Sequence, residues 1–340
     1  MLASLGVSSP VIAAPMAGGP TVPGLVTAAW SAGSFGFLAA GYKTAEALAT
    51  QLAEVRVTTE VVGVNLFAPN PVPVDPGEYR HYADALRPTA QRYGVDLSGD
   101  EPLEDDDAWS DKVELLVDSP VPVVSFTFGI PDKRVVEVLA RAGSYLIQTV
   151  TTPAEVGPAQ DAGVDALAVQ STAAGGHRGT LDPTRPSDDR PLPELVAAVR
   201  KVSTLPVYAA GGIGGPADVA ATLAAGADAV MVGTLLLRCP ESGASAVHRA
   251  ALADHDRGDP VVTRAFTGRP ARGLPNEFIS RFDAIAPYGY PAIHHLTSPL
   301  RKAAAAAGDP ELVNLWAGTG YRATREEPAA AMLDWLASEI

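Results

Sequence analysis

The sequence predicts an α/β protein: a (β/α)8 barrel of the TIM type with an additional, mostly helical cap. Three observations lead there. First, a helix-prone segment ends in Ala-Gly and runs into a short β-prone stretch at "SAGSFGFLAA" (31–40), "RAGSYLIQTV" (141–150), "DAGVDALAVQ" (161–170) and "AAGADAVMVG" (224–233). Glycine just past a helix takes the left-handed conformation that closes its C-terminus. An apolar run with little polar alternation reads as a strand covered on both faces, as in a parallel sheet. Second, eight such strands alternate with helices, which favours a closed barrel over an open doubly wound sheet. Third, two stretches break the rhythm and have to lie outside the barrel.

The expected strands are 11–16, 35–40, 61–67, 121–127, 145–150, 165–170, 206–210 and 228–233. Helices are expected at 21–32, 44–57, 132–142, 153–162, 191–202 and 215–225, with Thr44 and Pro153 as start signals. The barrel then occupies residues 1–239, with an excursion at about 68–118 containing "APNPVPVDPGEY" and the acidic run "GDEPLEDDD". A charge block of that kind reads as a solvated surface. Residues 240–325 are helix-prone and loop-rich without a clear strand, and form the cap or substrate domain. In 326–340, Met332, Leu333, Trp335, Leu336 and Ile340 fall at helical spacing, so a C-terminal helix is expected to return to the barrel.

The chain has 340 residues, 47% of them hydrophobic and 19% charged, enough for a sizeable core. A formal charge of -14 argues against a nucleic-acid or anionic-membrane partner. A small phosphate can still bind backbone N–H donors. One cysteine, Cys239, cannot form an internal disulfide, and no Cys/His cluster has zinc spacing, so no metal is expected. The N-terminal stretch lacks a basic n-region and a long apolar h-region, and no apolar run approaches the ~20 residues of a membrane span. A cytoplasmic protein is expected.

In a barrel of this kind, function collects on the loops that follow the strands. Here those loops are "PMAGGP", "NLFAPN", "FTFGIP", "TVTTP", "STAAGGHRG", "AAGGIGGPAD" and "MVGTLLL". The last two place bare glycine backbone at a helix start and at Gly233-Thr234, a pattern suited to a phosphate. Asn65 and Gln170 end otherwise apolar strands, where an amide can meet a ring edge such as the pyrimidine of an isoalloxazine. His177 follows Gly175-Gly176 on the same face and is the leading titratable group, able to act as acid or base or to stand beside an anion. His81, His248, His255, His294 and His295 lie in the excursion or cap without such a frame. Arg269 and Arg272 either bind a carboxylate or nitro group or tie cap to barrel. Cys239 reads as an ordinary buried thiol.

"VIAAPMAGG", "VGVNLF", "VVSFTFGIP", "AVQSTAAGGHRG", "PVYAAGGIGGPADVAATLAAGADAVMVGT", "FTGRPARGLPNEF" and "HHLTSPLRKAAAAAGDPELVNLWAGTGYR" together resemble the nitronate monooxygenases, over about residues 10–322. The resemblance implies an FMN-bearing barrel that oxidises alkyl nitronates, and nitroalkanes if an α-proton is removed, with O2 and without NAD(P)H, giving carbonyl compounds and nitrite. Carried over by motif, Asn65, Gln170, Gly175, Gly176, Gly212, Gly233 and Thr234 match flavin contacts. By the same motifs Met16 lies beside the ring and His177 is the active-site histidine. The positive partner of the reduced flavin stays open between Lys43, Lys133 and a backbone dipole. Two other readings stand beside this one. An FMN-dependent enoyl-ACP reductase using NAD(P)H shares the barrel, the GGH loop and the phosphate loops, and a flavin-binding protein without turnover shares the cradle.

Overall fold

A computed structural model describes residues 1–97 and 101–340. In chain order its strands are β1 (Val11–Ala13), β2 (Phe37–Ala39), β3 (Gly63–Ala68), β4 (Val123–Phe128), β5 (Tyr145–Val150), β6 (Ala166–Gln170), β7 (Gly176–His177), β8 (Val207–Ala210), β9 (Ala229–Val232), β10 (Val261–Thr263) and β11 (Ala271–Gly273). The α-helices are α1 (Pro23–Ser31), α2 (Ala45–Arg56), α3 (Pro76–Arg92), α4 (Trp109–Asp118), α5 (Lys133–Arg141), α6 (Val156–Ala162), α7 (Leu192–Arg200), α8 (Pro216–Ala224), α9 (Ala246–Ala253), α10 (Glu277–Phe282), α11 (Ala292–Ala306) and α12 (Ala329–Leu336). Eight strands pair in parallel in the order β1-β9-β8-β6-β5-β4-β3-β2. A parallel bridge from Ala13 to Gly36 brings β1 back beside β2. This is the expected barrel, and all eight expected strands form it.

The Ala-Gly pairs act as anticipated: Gly33, Gly143, Gly163 and Gly226 all have positive φ, between 68° and 108°. Within the strands, alternate residues face two different cores, as a period of two requires. Ile12, Phe37, Val123, Ile147, Ala166, Ala168, Tyr208 and Met231 fill the barrel interior. Val11, Leu38, Val64, Val124, Leu146, Leu167, Val207 and Val230 meet the surrounding helices. α12 buries Ala329, Met332, Leu333 and Leu336 in that second layer, as the C-terminal periodicity suggested. Cys239 is fully buried in the same layer, and burial pushes its thiol up to about 12.

Three features depart from the sequence reading. The cap contains strands: β10 and β11 pair antiparallel, and β11 pairs with β7, with Ala271 opposite His177 and Arg272 opposite Gly176. Such short strands carry little sequence signal, because each forms only when its distant partner arrives. Next, α3 of the excursion packs not on the barrel but into the cap's core, where Tyr79, Tyr82 and Leu86 join Phe266, Phe278, Ile293 and Leu300. Finally, the acidic run is not wholly a solvated surface. Gly99 and Asp100 lie outside the described residues, but Asp107 accepts the backbone N–H of Tyr42 at 2.8 Å. Its other oxygen sits 2.7 Å from the buried ammonium of Lys112. Asp105 reaches His295 Nε2 at 2.9 Å. Among the described residues, no helix is long and apolar enough to cross a membrane.

Candidate active site

The loops that follow the barrel strands open into a cavity of about 610 Å3, closed over by cap residues. Met16, Asn65, Gln170, Gly175, Gly176, His177, Gly212, Gly233 and Thr234 all line it. These residues come from the ends of five separate barrel strands, which the fold brings to one space.

His177 is fixed by the β7–β11 pairing behind it. Its Nε2 lies 2.9 Å from Thr267 Oγ1, which also bonds the Arg269 carbonyl at 3.2 Å. A carbonyl can only accept, so the single hydroxyl proton goes to Arg269, and His177 Nε2–H must donate to Thr267. That assigns the ring proton to Nε2 and leaves Nδ1 as a free acceptor. Burial, then the Arg269 and Arg301 cations, push the imidazole down to about 3, so it is neutral at ordinary pH. Phe128, Tyr290 and Trp316 surround it, with ring centroids at 5.7, 5.7 and 5.6 Å.

Two of the lining aromatics have left-handed backbone, Tyr42 at φ 65° and Phe128 at φ 79°. Bulky residues pay for that conformation, and such outliers cluster at functional sites. Asp107 and Lys112 hold Tyr42 in place from the excursion.

A cradle of unpaired backbone donors lies at another part of the same cavity. The backbone N–H groups of Gly212, Gly233 and Thr234 donate to no protein group among the described residues. Gly212 has φ 81°, so the loop turns in a way that favours glycine. α8 begins just beyond it, with no side chain capping its first turn. Unpaired N–H donors converging near a helix start bind anions. The cap completes this cradle, since Gly318 N–H donates to Thr234 Oγ1 at 3.0 Å and Thr319 N–H to the Ala173 carbonyl at 3.0 Å. A Cβ on Gly175 would stand 2.5 Å from Gly318 N and 2.6 Å from Ala317 C, both backbone atoms. Gly175→Ala is therefore expected to lose about 1–3 kcal/mol of stability through overpacking. Thermal unfolding of the purified variant checks this.

The two amides differ in role. Asn65 directs Nδ2 to Ser125 Oγ (2.9 Å) and Thr127 Oγ1 (3.0 Å), leaving Oδ1 without a protein partner among the described residues in a side chain that lines the cavity. It suits a ring N–H. Gln170 also lines the cavity, but both ends of its amide brace the histidine loop: Nε2 donates to the His177 carbonyl (3.1 Å) and Oε1 accepts from Gly179 N–H (2.8 Å).

Arg269 and Arg272 resolve in favour of tying cap to barrel. Arg269 is fully buried, donates to the Arg178 and Thr180 carbonyls and sits over the Phe128 ring at 4.2 Å. Arg272 donates to Thr172 O and Pro260 O, each at 2.7 Å. Neither lines the cavity. Nor does Lys43, held by Ala39 O and Gln51 Oε1, or Lys133, exposed at the start of α5. The cations that do line it are Arg301 and Lys302 of α11.

His248 and His294, set aside in the sequence, line it as well. The signal for the second was present: His294, Ser298, Arg301 and Ala305 recur at helical spacing and form one face of α11. Nothing in the sequence marked Tyr42, Phe128 or Thr267, whose places depend on backbone strain and cap pairing.

A protein-family model described as nitronate monooxygenase matches residues 1–339. A Staphylococcus saprophyticus protein named probable nitronate monooxygenase is 35% identical over 340 residues, covering 97% of this chain and 94% of its own length. Among solved structures, the nitroalkane oxidase of Streptomyces ansochromogenes is 44% identical, with a TM-score of 0.92 over 100% of this chain and 97% of that one. FabK from Thermotoga maritima shares the fold at 24% identity and a TM-score of 0.76, over 98% of this chain and 93% of its own. The chain belongs to the nitronate monooxygenase family, a family of flavin-dependent oxidoreductases.

Proposed function

We propose that the cavity binds FMN and an alkyl nitronate, and that the protein oxidises the nitronate with O2 to a carbonyl compound and nitrite. Two nitronates and one O2 give two carbonyls and two nitrites, so the reaction balances without NAD(P)H. One observation carries this reading: a single cavity joins a cradle of unpaired N–H groups to a neutral histidine, with a buried arginine nearby. Arg301 makes no ion pair among the described residues; it bonds Thr297, Asn314 and His294. Such a site favours an anion already formed.

The donor set fits FMN. Gly212, Gly233 and Thr234 would hold the phosphate on backbone N–H groups, Asn65 Oδ1 would accept from the ring edge, and Met16, whose sulfur packs near Gly233, would lie against the ring. When bound, the flavin supplies the electron transfer and the reaction with O2. The protein's part is placement and electrostatics. Arg301 attracts the nitronate charge, the aromatic walls exclude water, and His177 Nδ1 is the acceptor for the α-proton where a neutral nitroalkane is bound. A histidine pushed down to about 3 is a weak base for a neutral carbon acid, so nitronates are favoured over nitroalkanes. An anion bound beside it raises its pKa and restores part of that basicity.

Aerobic incubation of the flavin-loaded protein with a preformed nitronate tests the reading. Nitrite is expected at about two per O2 consumed, with no change on adding NADPH. Absence of nitrite refutes it.

A further inference from the structure

His294 has the opposite hydrogen-bonding arrangement to His177. Arg301 Nη2 lies 3.2 Å from His294 Nδ1 and also donates to the His294 carbonyl at 3.1 Å. A guanidinium can only donate, so Nδ1 must accept, and the proton of the neutral ring sits on Nε2. Nε2 has no protein partner among the described residues, and the side chain lines the cavity. The ring plane is fixed too. It stacks on Tyr42 with centroids 4.2 Å apart and planes 3° apart, and Asp107 holds the Tyr42 backbone. Arg301 is itself buried and tied to Thr297 and Asn314, so the whole assembly is preorganised. The Tyr290 ring contacts both imidazoles, at 5.7 Å from His177 and 6.4 Å from His294.

The cavity thus presents an acceptor on one histidine and a donor on the other, each with its tautomer set by a partner behind it. We propose that His294 is a substrate-binding residue whose Nε2–H donates to an oxygen of the nitronate group. The assignment rests on the nitronate reading above. It gives each end of the reacting group its own residue: His177 Nδ1 stands at the carbon side, where a nitroalkane would lose its α-proton, and His294 Nε2–H donates at the oxygen side. Arg301 acts as the positioning residue that keeps His294 in the donor tautomer.

The test uses flavin-loaded wild type, His294→Leu and His294→Gln. Glutamine can accept from Arg301 through Oε1 and still donate through Nε2, whereas leucine does neither. Two readouts are needed: KM for a preformed alkyl nitronate, and the calorimetric Kd for nitrate, a planar oxyanion that the flavin does not oxidise. Loss of a hydrogen bond to a charged group corresponds to roughly tenfold or more. His294→Leu is expected to raise both constants at least tenfold, and His294→Gln to bring them back within threefold of wild type. A merely structural histidine would lower the melting temperature without that recovery. A rise of less than threefold in His294→Leu, or no recovery in His294→Gln, overturns the assignment. If wild type oxidises no nitronate, the functional reading falls, and the nitrate titration still decides His294. Equal nitrate binding in all three proteins, or none in wild type, then overturns it.

Discussion

His177→Asn is expected to lower nitroalkane turnover by about 10²–10⁴-fold while the purified protein keeps its flavin absorbance. The size follows from what the substitution removes. His177 Nδ1 is the ring nitrogen left without a proton by the Nε2–Thr267–Arg269 chain, and its side chain lines the cavity. Asparagine keeps an amide of similar reach but offers no nitrogen base. The proposed flavin cradle stays intact because its unpaired N–H groups belong to Gly212, Gly233 and Thr234, not to the histidine. With preformed nitronate the loss is expected to be much smaller, since no carbon–hydrogen bond has to break before oxidation. Parallel kinetics on a nitroalkane and its nitronate separate the two roles. Equal turnover of both by the variant and wild type would remove His177 from the chemistry.

Acid is expected to destabilise the protein strongly. His177 and His248 are pushed down by burial to about 3 and about 4, and His294 is lowered further by burial and the Arg301 cation. Each of these groups is near 6.5 when unfolded. Between these folded values and 6.5 the unfolded chain therefore binds more protons than the folded one, and stability rises with pH. The contribution is complete above about pH 6.5 and is lost as pH falls through that window. At pH 5 the loss is on the order of 2 kcal/mol for each histidine, a large part of the 5–15 kcal/mol typical of a folded protein. His248 isolates the effect, because its Nε2–H donates to the Trp316 carbonyl at 2.9 Å and a glutamine can make the same bond. Denaturant unfolding at pH 7.5 and pH 5 is expected to show a smaller acid loss in His248→Gln by about 2 kcal/mol. An unchanged loss would mean that His248 is already free to protonate in the folded state.

What the sequence made legible was local. Strands such as "ALAVQ" and their Ala-Gly helix caps carry their signal within ten residues, so every barrel strand was anticipated. The loops after them inherit their position from barrel geometry, and this is why Asn65, His177, Gly212 and Thr234 could be named without a structure. The other half of the cavity depends on contacts between distant segments. His294 and His295 are adjacent and alike in sequence, yet α11 turns one towards the cavity and the other towards Asp105. Arg269 in "TGRPARG" reads equally as an anion ligand or as a tie between cap and barrel, and its guanidinium meets the Arg178 and Thr180 carbonyls, about ninety residues away in the chain. Asp107 sits in a run that reads as solvent-facing, and its partners Tyr42 and Lys112 come from either side of it. Charge patterning alone carries none of that pairing.

The most direct test of FMN and nitronate sharing this cavity is anaerobic mixing of the yellow protein with propionate 3-nitronate and, separately, with NADPH. The flavin absorbance is followed in both. Prompt loss of colour with the nitronate and no response to NADPH is the expected result. Bleaching by NADPH with indifference to the nitronate would contradict the account and assign the same barrel to a nicotinamide-dependent reduction.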